Sequence, residues 1–285
     1  MTFSAPAVTR TTFLDQPAWR LELPGGDTAH VLQHGAHLVS WVRGGEEQLY
    51  LSPLTRVAEG VAVRGGVPVL FPQFSDAGPG PRHGFARTRA WTFGESAVGR
   101  EHALLVLRLQ DDESTRAVWP HAFEAELTVA LAEGRLDVEL SVANTGEAPL
   151  RFTGGLHTYV GVRELAHLRI EGLHGLPLHD RLRDEQRRED HHQLGIHGEM
   201  ENLYAAVHRP LLLREPGRQR VIDADGFDEL MLWNPGPAKA HALADLPDED
   251  WQRFVCVEAV RVNAPVEVAP GETWIGRQGL LAGGA

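Results

Sequence analysis

The sequence predicts an all-β protein built as a large antiparallel β-sandwich, and three observations support this prediction. Apolar and polar residues alternate with a period of two along several short runs, as they do in strands with one buried face. Gly and Pro residues separate these runs with frequent turn signals. No long segment repeats its apolar residues with the period of an α-helix. Many short strands joined by turns are typical of a sandwich.

The clearest alternation lies in residues 122–142. Apolar residues occupy every second position from Phe123 to Leu131, and they do so again from Leu136 to Val142. The dipeptide Glu133-Gly134 between the two runs predicts a turn. This segment is therefore predicted to form a β-hairpin with one buried face.

Further apolar runs predict additional strands. These runs are Trp19–Leu23, His30–Val42, Ala103–Leu109, Leu211–Leu213, Glu229–Trp233 and Phe254–Val262. A short helix is expected at Pro247–Arg253, where three consecutive acidic residues suit the positive end of a helix dipole. The polar stretch Asp180–Glu201 is predicted to be a long surface loop. Because no change in composition marks a linker, residues 1–285 are predicted to form one domain.

Composition and charge limit the classes of function. The formal net charge of −12 repels the nucleic-acid backbone, so no nucleic-acid partner is expected. The single cysteine, Cys256, cannot form an intrachain disulfide and fits a reducing compartment. We see no signal peptide in the first residues and no apolar stretch near the roughly 20 residues of a membrane span. A cytoplasmic monomer without a membrane partner is therefore expected.

Two basic clusters are candidates for binding an anionic ligand. The first is the turn Arg64-Gly65-Gly66-Val67-Pro68, which places Arg64 at its edge. The second contains Arg82, His83 and Arg87, an excess of positive charge in an acidic protein. Guanidinium groups present a planar fork of donors that matches phosphate oxygens. The alternative for both clusters is a solvated surface turn.

Two further residues are candidates for acid–base chemistry. His157 follows the glycine pair Gly154-Gly155 at the start of a β-prone run, and Glu258 interrupts an apolar strand. Alternation places Glu258 on the same face as Cys256. If that face is buried, desolvation raises the pKa of the carboxyl toward the range of a general base near neutrality. The alternatives are a structural histidine and a solvent-exposed glutamate.

Taken in order, these clusters resemble the motifs of the aldose 1-epimerase superfamily, and in particular those of its glucose-6-phosphate 1-epimerase branch. The matching blocks are Arg64–Pro68, Pro72–Phe74, His83–Arg87 with Trp91, Leu156–Tyr159, Trp233–Pro235 with Lys239-Ala240, and Cys256–Glu258. The resemblance extends from about Gly35 to Gly271. It implies a galactose mutarotase-like supersandwich with the site on the concave face of one sheet.

The resemblance also implies roles for single residues. His157 corresponds to the general acid of the family and Glu258 to its general base. Arg64 and Arg87 correspond to the arginines that hold the substrate phosphate, and His83 to a histidine that contacts sugar hydroxyls. These roles imply an isomerase that interconverts the α and β anomers of a hexose 6-phosphate, with glucose 6-phosphate as the expected substrate. They require no cofactor and no metal ion.

Three positions depart from the pattern of this branch. Arg82 stands where the branch often has an uncharged polar residue, and it would add a cation to the phosphate site. Glu201 stands where the branch has an aspartate that contacts sugar hydroxyls, and Asn202 stands where it has an arginine. Arg82 and Glu201 are therefore included among the substrate-binding residues, while the preferred hexose stays open.

Other functions remain as alternatives. The same fold could carry a non-catalytic sugar-phosphate-binding protein or a mutarotase of unphosphorylated hexoses. A metal-dependent protein is a third alternative, because histidines crowd one region at His174, His179, His191, His192 and His197, although their spacing matches no zinc motif. A glycoside hydrolase needs a second carboxylate, and Glu258 has no partner in a matching block.

Overall fold

The computed structural model of the protein describes residues 5–283, and within that range every pair of neighbouring strands is antiparallel. The strands form three sheets of five, eight and seven strands. The predicted all-β fold class with a large antiparallel sandwich is confirmed. Of the domain predicted for residues 1–285, the first four residues and the last two lie outside the described range, and its unity stays a prediction.

In chain order, the strands are β1 (Ala7–Phe13), β2 (Gln16–Glu22), β3 (Thr28–Leu32), β4 (Leu38–Arg43), β5 (Glu46–Glu47), β6 (Val69–Leu70), β7 (Thr92–Val98), β8 (His102–Gln110), β9 (Phe123–Ala132), β10 (Arg135–Asn144), β11 (Leu150–Gly161), β12 (Arg169–Glu171), β13 (Pro177–Asp180), β14 (Glu185–Arg188), β15 (Met200–Ala205), β16 (Leu211–Glu215), β17 (Arg218–Asp225), β18 (Glu229–Asn234), β19 (Phe254–Val268) and β20 (Thr273–Ala282). The α-helices are α1 (Glu113–Val118) and α2 (Gly236–Ala242), and 3₁₀ turns occupy Ala86–Thr88, Leu165–His167 and Asp250–Arg253.

The five-stranded sheet has the order β1-β2-β3-β4-β5. The eight-stranded sheet has the order β12-β16-β17-β20-β10-β9-β8-β7, and the seven-stranded sheet has the order β14-β13-β15-β18-β19-β11-β6. Inward side chains of the two larger sheets share one hydrophobic core. A buried hydrogen bond crosses between these sheets, because the Thr158 hydroxyl on β11 donates to Gln278 Oε1 on β20 at 2.5 Å. The sheets therefore pack face to face.

The predicted hairpin is confirmed in both its strands and its register. Strands β9 and β10 flank the turn at Glu133-Gly134, and Leu131 lies opposite Leu136. Every second residue of both strands is buried, as the alternation predicted. One face of the hairpin packs into the core and the other meets solvent.

Strand β19 differs from the hairpin because both of its faces are buried along its first seven residues. It lies between β18 and β11 in the middle of the seven-stranded sheet. Val255 and Val257 face the shared core, whereas Phe254 and Cys256 join a second, smaller cluster on the other face. Glu258 shares this second face, so it is a buried carboxylate and not a solvent-exposed one.

Three local predictions were wrong or incomplete. The run His30–Val42 is two strands, β3 and β4, because Gly35 and Ala36 adopt positive φ angles between them. The stretch Asp180–Glu201 is not one long loop, since it contains β14 and the first residues of β15. Of the helix expected at Pro247–Arg253, only the last four residues are helical, and they form a 3₁₀ turn. None of the helices described within residues 5–283 has the length and hydropathy of a membrane span.

Candidate active site

A pocket of about 510 Å³ opens on the face of the seven-stranded sheet that points away from the shared core. Its floor is formed by side chains of β15, β18, β19 and β11. All seven side chains predicted for the site line this pocket, and they are Arg64, Arg82, His83, Arg87, His157, Glu201 and Glu258. The structure therefore brings together residues that are up to 194 positions apart, since 258 − 64 = 194.

Strand register explains how the floor is assembled. One row across the sheet contains Met231 on β18, Glu258 on β19 and His157 on β11, each directly opposite the next. The adjacent row, two residues along each strand, contains Glu201, Trp233, Cys256 and Tyr159 in the same order. Side chains two residues apart on a strand share a face, so both rows point into the pocket side of the sheet.

The pair His157 and Glu258 lies at the bottom of the pocket. His157 Nε2 is 3.3 Å from Glu258 Oε1, and the two residues are 8% and 2% exposed. The other ring nitrogen, His157 Nδ1, and the other carboxyl oxygen, Glu258 Oε2, have no hydrogen-bond partner among the described residues. Buried polar atoms are almost always paired, so these atoms are suited to contact a ligand.

Burial pushes the two groups toward their uncharged forms. It raises the pKa of Glu258 well above its usual value, and the nearby carboxylate of Glu201 adds to this effect. Burial lowers the pKa of His157 well below 6.5, and the neighbouring His83 and Arg87 lower it further. These shifts favour a neutral imidazole beside a protonated carboxyl. Together the two groups hold one transferable proton.

Aromatic contacts fix the orientation of His157. The ring of Tyr159 stacks on it with the centroids 4.8 Å apart and the planes at 15°, and the ring of His83 meets it edge-on at 5.8 Å. The hydroxyl of Tyr159 also accepts a hydrogen bond of 3.0 Å from Arg64 Nη1. Tyr159 therefore connects the histidine to the guanidinium of Arg64.

Arg64 is positioned by a turn that only glycine can form. A Cβ at Gly65 would lie 2.4 Å from the Tyr50 carbonyl oxygen, and one at Gly66 would lie 2.3 Å from that of Leu38. His37, which is fully buried, donates a hydrogen bond of 2.7 Å from Nε2 to the Gly65 carbonyl. Because these contacts hold the backbone, Arg64 enters the pocket from a fixed point.

The second basic cluster approaches from the other side. Arg87 donates from Nη2 to the carbonyl of Arg82, but within residues 5–283 it has no carboxylate partner, and its Nε is unpaired. Arg82 is exposed and forms an ion pair of 2.6 Å with Asp76. His83 accepts a hydrogen bond at Nδ1 from the backbone of Ser75 at 3.1 Å, and burial lowers its pKa to about 3. Its ring hydrogen is therefore on Nε2.

Glu201 supplies a second carboxylate, and a further arginine accompanies it. Arg181 Nε lies 3.6 Å from Glu201 Oε1, and its guanidinium packs over the ring of Phe74 at 5.9 Å. The backbone of Arg181 also donates to the Glu201 carbonyl. Glu201 thus lies between the cation of Arg181 and the buried carboxyl of Glu258.

Comparison with known proteins identifies the family. The chain matches the family model described as Aldose 1-epimerase over residues 17–280. The chain belongs to the aldose 1-epimerase family.

Relatives within the aldose 1-epimerase family are similar over most of this chain. Three of them share the name "Putative glucose-6-phosphate 1-epimerase". The protein from Cenchrus ciliaris is 31% identical over 89% of this chain and 81% of its own length, and that from Salmonella typhimurium is 32% identical over 91% and 88%. The protein from Escherichia coli K12 is 33% identical over 82% and 80%.

Solved structures agree with the fold of this aldose 1-epimerase family member. The crystal structure of YeaD from Salmonella typhimurium superposes with a TM-score of 0.89 at 27% identity, over 98% of this chain and 94% of that one. The structure of HI1317 superposes with a TM-score of 0.78 at 21% identity, over 97% and 100%, and so shows likeness of fold alone.

Several residues that line the pocket or support the segments around it were not assigned a role from the sequence in this aldose 1-epimerase family member. His37, Tyr159 and Arg181 hold other site residues through the contacts described above, and Lys239 lines the pocket while paired with Glu199 at 2.6 Å. The stacking of Tyr159 on His157 follows from their i, i+2 spacing on a strand, so this signal was present in the sequence. His37 and Arg181 contact residues that are distant in sequence, so no local sequence pattern predicts these contacts.

The histidine-rich stretch does not form a common metal cluster within residues 5–283. His174 and His192 stack with their centroids 3.7 Å apart, and His179 pairs with Asp184. His191 forms a potential ligand group with two acidic neighbours, but no second histidine joins it.

Proposed function

We propose that this chain interconverts the α and β anomers of a hexose 6-phosphate, with glucose 6-phosphate as the expected substrate. The observation that carries the proposal is Arg87, a guanidinium without a carboxylate partner in residues 5–283, in the same pocket as the His157–Glu258 pair. A largely buried cation without a partner suits an anionic ligand. The names of the relatives point to the same substrate.

Anomer exchange requires one proton acceptor and one proton donor. The acceptor removes the proton of the C1 hydroxyl while the donor protonates the ring oxygen, and the C1–O5 bond breaks to give the open aldehyde. The C1–C2 bond rotates, and the C5 hydroxyl then adds to the other face of the aldehyde. In this step the former donor takes the proton of the C5 hydroxyl, and the former acceptor returns a proton to the aldehyde oxygen. Glu258 is the proposed base and His157 the proposed acid. Because both oxygens are bonded to C1, two groups 3.3 Å apart are well placed to serve them side by side.

The substrate phosphate has a second role in this proposal. The surroundings of the pair favour neutral His157 and protonated Glu258, which is the reverse of the charged arrangement that the proposed roles require. A bound phosphate dianion neutralises Arg64 and Arg87, both of which lower the pKa of His157. Arg87 also lowers the pKa of Glu258, so its neutralisation raises both pKa values. Neutralisation of Arg64 raises the pKa of His157 and thereby favours transfer of the shared proton from Glu258 to His157. Substrate binding prepares the pair for its first step.

The other cations and polar groups of the pocket bind the substrate phosphate and the sugar ring. Arg64 and Arg87 hold the phosphate, and Arg82 adds an exposed cation at the rim. His83 Nε2 and Glu201 are a donor and an acceptor for sugar hydroxyls. The ring of Trp233 provides an apolar surface for the pyranose. These contacts contribute binding energy that places C1 over the catalytic pair.

Two-dimensional exchange NMR on glucose 6-phosphate tests the proposal. The chain should accelerate α/β exchange well above the spontaneous rate. Glucose at the same concentration should exchange more slowly, since it cannot neutralise the arginines. Acceleration of glucose alone would instead indicate a mutarotase of unphosphorylated hexoses. Binding of glucose 6-phosphate without any acceleration would indicate a non-catalytic sugar-phosphate-binding protein.

A further inference from the structure

The only cysteine of the chain lies beside the acid–base pair, and the proposed reaction does not use it. Cys256 Sγ, a ring nitrogen of His157 and a carboxyl oxygen of Glu258 all lie within 4.8 Å of one another, and all three residues are buried. Another group of potential ligands in the described range, Glu189-Asp190-His191, has two exposed members. The cluster at the pocket floor is therefore the more enclosed of the two.

We propose that Cys256, His157 and Glu258 form a binding site for a thiophilic divalent cation, Zn²⁺, which inhibits the enzyme. Thiolate sulfur, imidazole nitrogen and carboxylate oxygen are the ligand types that zinc binds in proteins. Three protein ligands leave one tetrahedral position for water or another ligand. The site would hold zinc as an inhibitor and not as a cofactor.

The spacing of the three side chains is close to that of a zinc site. With metal–ligand bonds of about 2.0 to 2.3 Å, tetrahedral geometry places the ligand atoms roughly 3.3 to 3.7 Å apart. His157 Nε2 and Glu258 Oε1 already have a separation of 3.3 Å. Only the sulfur of Cys256 has to approach, by about 1 Å at most. A small change of the Cys256 side-chain torsion is sufficient.

Unpaired polar atoms provide a second, independent observation. Glu258 Oε2 and His157 Nδ1 have no hydrogen-bond partner among the described residues, although both side chains are at least nine-tenths buried. A divalent cation accepts a lone pair from a carboxylate oxygen or from an imidazole nitrogen, and so supplies the partner that the described residues do not. Buried acceptors without donors are therefore groups that a cation stabilises.

The positive charges of the pocket do not oppose this site. Arg64 is paired with Asp245 at 3.2 Å. Burial raises the pKa values of the Cys256 thiol and the Glu258 carboxyl, so both groups carry a proton without the metal. Zn²⁺ displaces these two protons to solvent, and the occupied site therefore adds no net charge beside Arg87. Electrostatic repulsion by the phosphate-binding arginines is thus avoided.

Inhibition follows from the identity of the ligands. Zinc bound to Glu258 and His157 withholds both proton-transfer groups from the sugar, so anomer exchange stops. This consequence rests on the proposed function, whereas binding of the metal does not.

Cobalt(II) provides a test of the site that is independent of activity. Titration of the full chain with Co²⁺ should produce a near-ultraviolet thiolate-to-cobalt charge-transfer band, which Zn²⁺ then abolishes by displacement. Because the chain has one cysteine, the band reports Cys256 alone. Cys256→Ser and Cys256→Ala should both lack the band, while a cooperative thermal unfolding transition shows that each variant is folded. A wild type without the band, or variants that retain it, would overturn the proposal.

Activity measurements test the consequence. Zn²⁺ should abolish anomer exchange by the wild type, and a chelator should restore it. Cys256→Ser should be active without metal and at least about tenfold less sensitive to Zn²⁺, since loss of one ligand costs at least as much as loss of an outer-shell contact. Equal inhibition of the variant and the wild type would contradict the site. If the wild type does not catalyse exchange, the proposed function fails, and the cobalt spectrum still decides the metal site.

Discussion

Burial acts in opposite directions on the pKa values of His157 and Glu258, and their separation of 3.3 Å makes them one unit for proton transfer. The charged state of either group alone is costly at this depth. When the two residues share one proton, either both are neutral, with the proton on Glu258, or they form an ion pair, with the proton on His157. The net charge of the pair is zero in both cases. The fold can therefore keep a proton donor and a proton acceptor side by side at this depth.

The first residue-scale prediction concerns the base. Glu258→Gln keeps the size and one hydrogen-bonding oxygen of the side chain but cannot accept a proton. We expect kcat for glucose 6-phosphate exchange to fall by about 10²- to 10⁴-fold with little change in KM. Exchange NMR on wild type and variant measures both constants. Wild-type kcat in a folded variant would show that Glu258 is not the base.

The second prediction concerns the phosphate. Arg87→Met removes the guanidinium that has no carboxylate partner, and we expect KM for glucose 6-phosphate to rise roughly 10- to 100-fold, the equivalent of one charge-assisted hydrogen bond. KM for glucose should stay within a few-fold. Arg82→Met is the matched control, because Arg82 is exposed and already paired with Asp76, and exposed pairs contribute little. Equal effects at both positions would exclude a specific role for Arg87.

Single residues show where sequence-based prediction succeeds and where it stops. Arg64, His157 and Glu258 lie in blocks whose order matches the family, so the resemblance located them from the sequence alone. Their depth in the pocket was not visible, because alternation alone does not say whether both faces of a strand are covered. His37 gave no signal at all, since its hydrogen bond to Gly65 joins segments 28 residues apart.

At the scale of elements, the turn at Gly65-Gly66 determines where Arg64 enters the pocket. Gly66 has a φ of +63°, and a side chain there would collide with the Leu38 carbonyl and with the His37 ring. Gly66→Ala should therefore destabilise the protein by at least about 3 kcal/mol, from backbone strain plus displacement. It should also raise KM for glucose 6-phosphate. Urea unfolding and exchange NMR measure the two effects.

Gly45 provides the control for this turn. Its φ of +80° is equally unfavourable for alanine, but nothing lies within 4 Å of its would-be Cβ. Gly45→Ala should cost only about 1 to 2 kcal/mol from backbone strain, with KM unchanged. Equal losses in the two variants would mean that the close approach to Leu38 has no role.

Elements with strong alternation were predictable, and those that depend on distant partners were not. Strands β9 and β10 followed from their period-two pattern, because one face meets water and the other the core. Helix α1 was missed, although Asp112 and Thr115 form a capping box at its start. Strand β14 was missed because its polar residues Glu185–Arg188 pair at the open edge of a sheet, where no apolar face is required.

At the scale of the whole molecule, the acidic surface and the basic pocket act together. The chain has a formal net charge of −12, but four basic side chains line its pocket: Arg64, Arg82, Arg87 and Lys239. Under the proposed function, an anionic sugar would be repelled by most of the surface and attracted to this pocket. The sandwich positions the pocket because one face of the seven-stranded sheet packs against the eight-stranded sheet. The opposite face, which includes β19 and β11, forms the floor of the pocket.

The last prediction concerns stability against acid, which depends on histidines held neutral inside the fold. Burial lowers the pKa of His37 to about 3, against about 6.5 in an unfolded chain. Between pH 6.5 and pH 3, His37 is protonated in the unfolded chain but neutral in the folded chain. Protonation therefore favours unfolding: the folded state has its full stability above pH 6.5 and loses stability as the pH falls toward 3. Between pH 7 and pH 5, His37 should account for about 2 kcal/mol of lost stability.

His37→Gln keeps a donor for the Gly65 carbonyl but does not titrate, so its free energy of unfolding should fall by about 2 kcal/mol less than that of the wild type between pH 7 and pH 5. Urea unfolding at the two pH values measures the difference, and any general destabilisation by the substitution cancels. His241→Gln is a control of opposite sign, because the hydrogen bond that His241 Nδ1 donates to Asp248 raises the pKa of His241. Its removal should make the loss in acid slightly steeper. If the pH dependence of His37→Gln equals that of the wild type, the buried His37 is not held neutral, and the Arg64 turn is not a source of acid sensitivity.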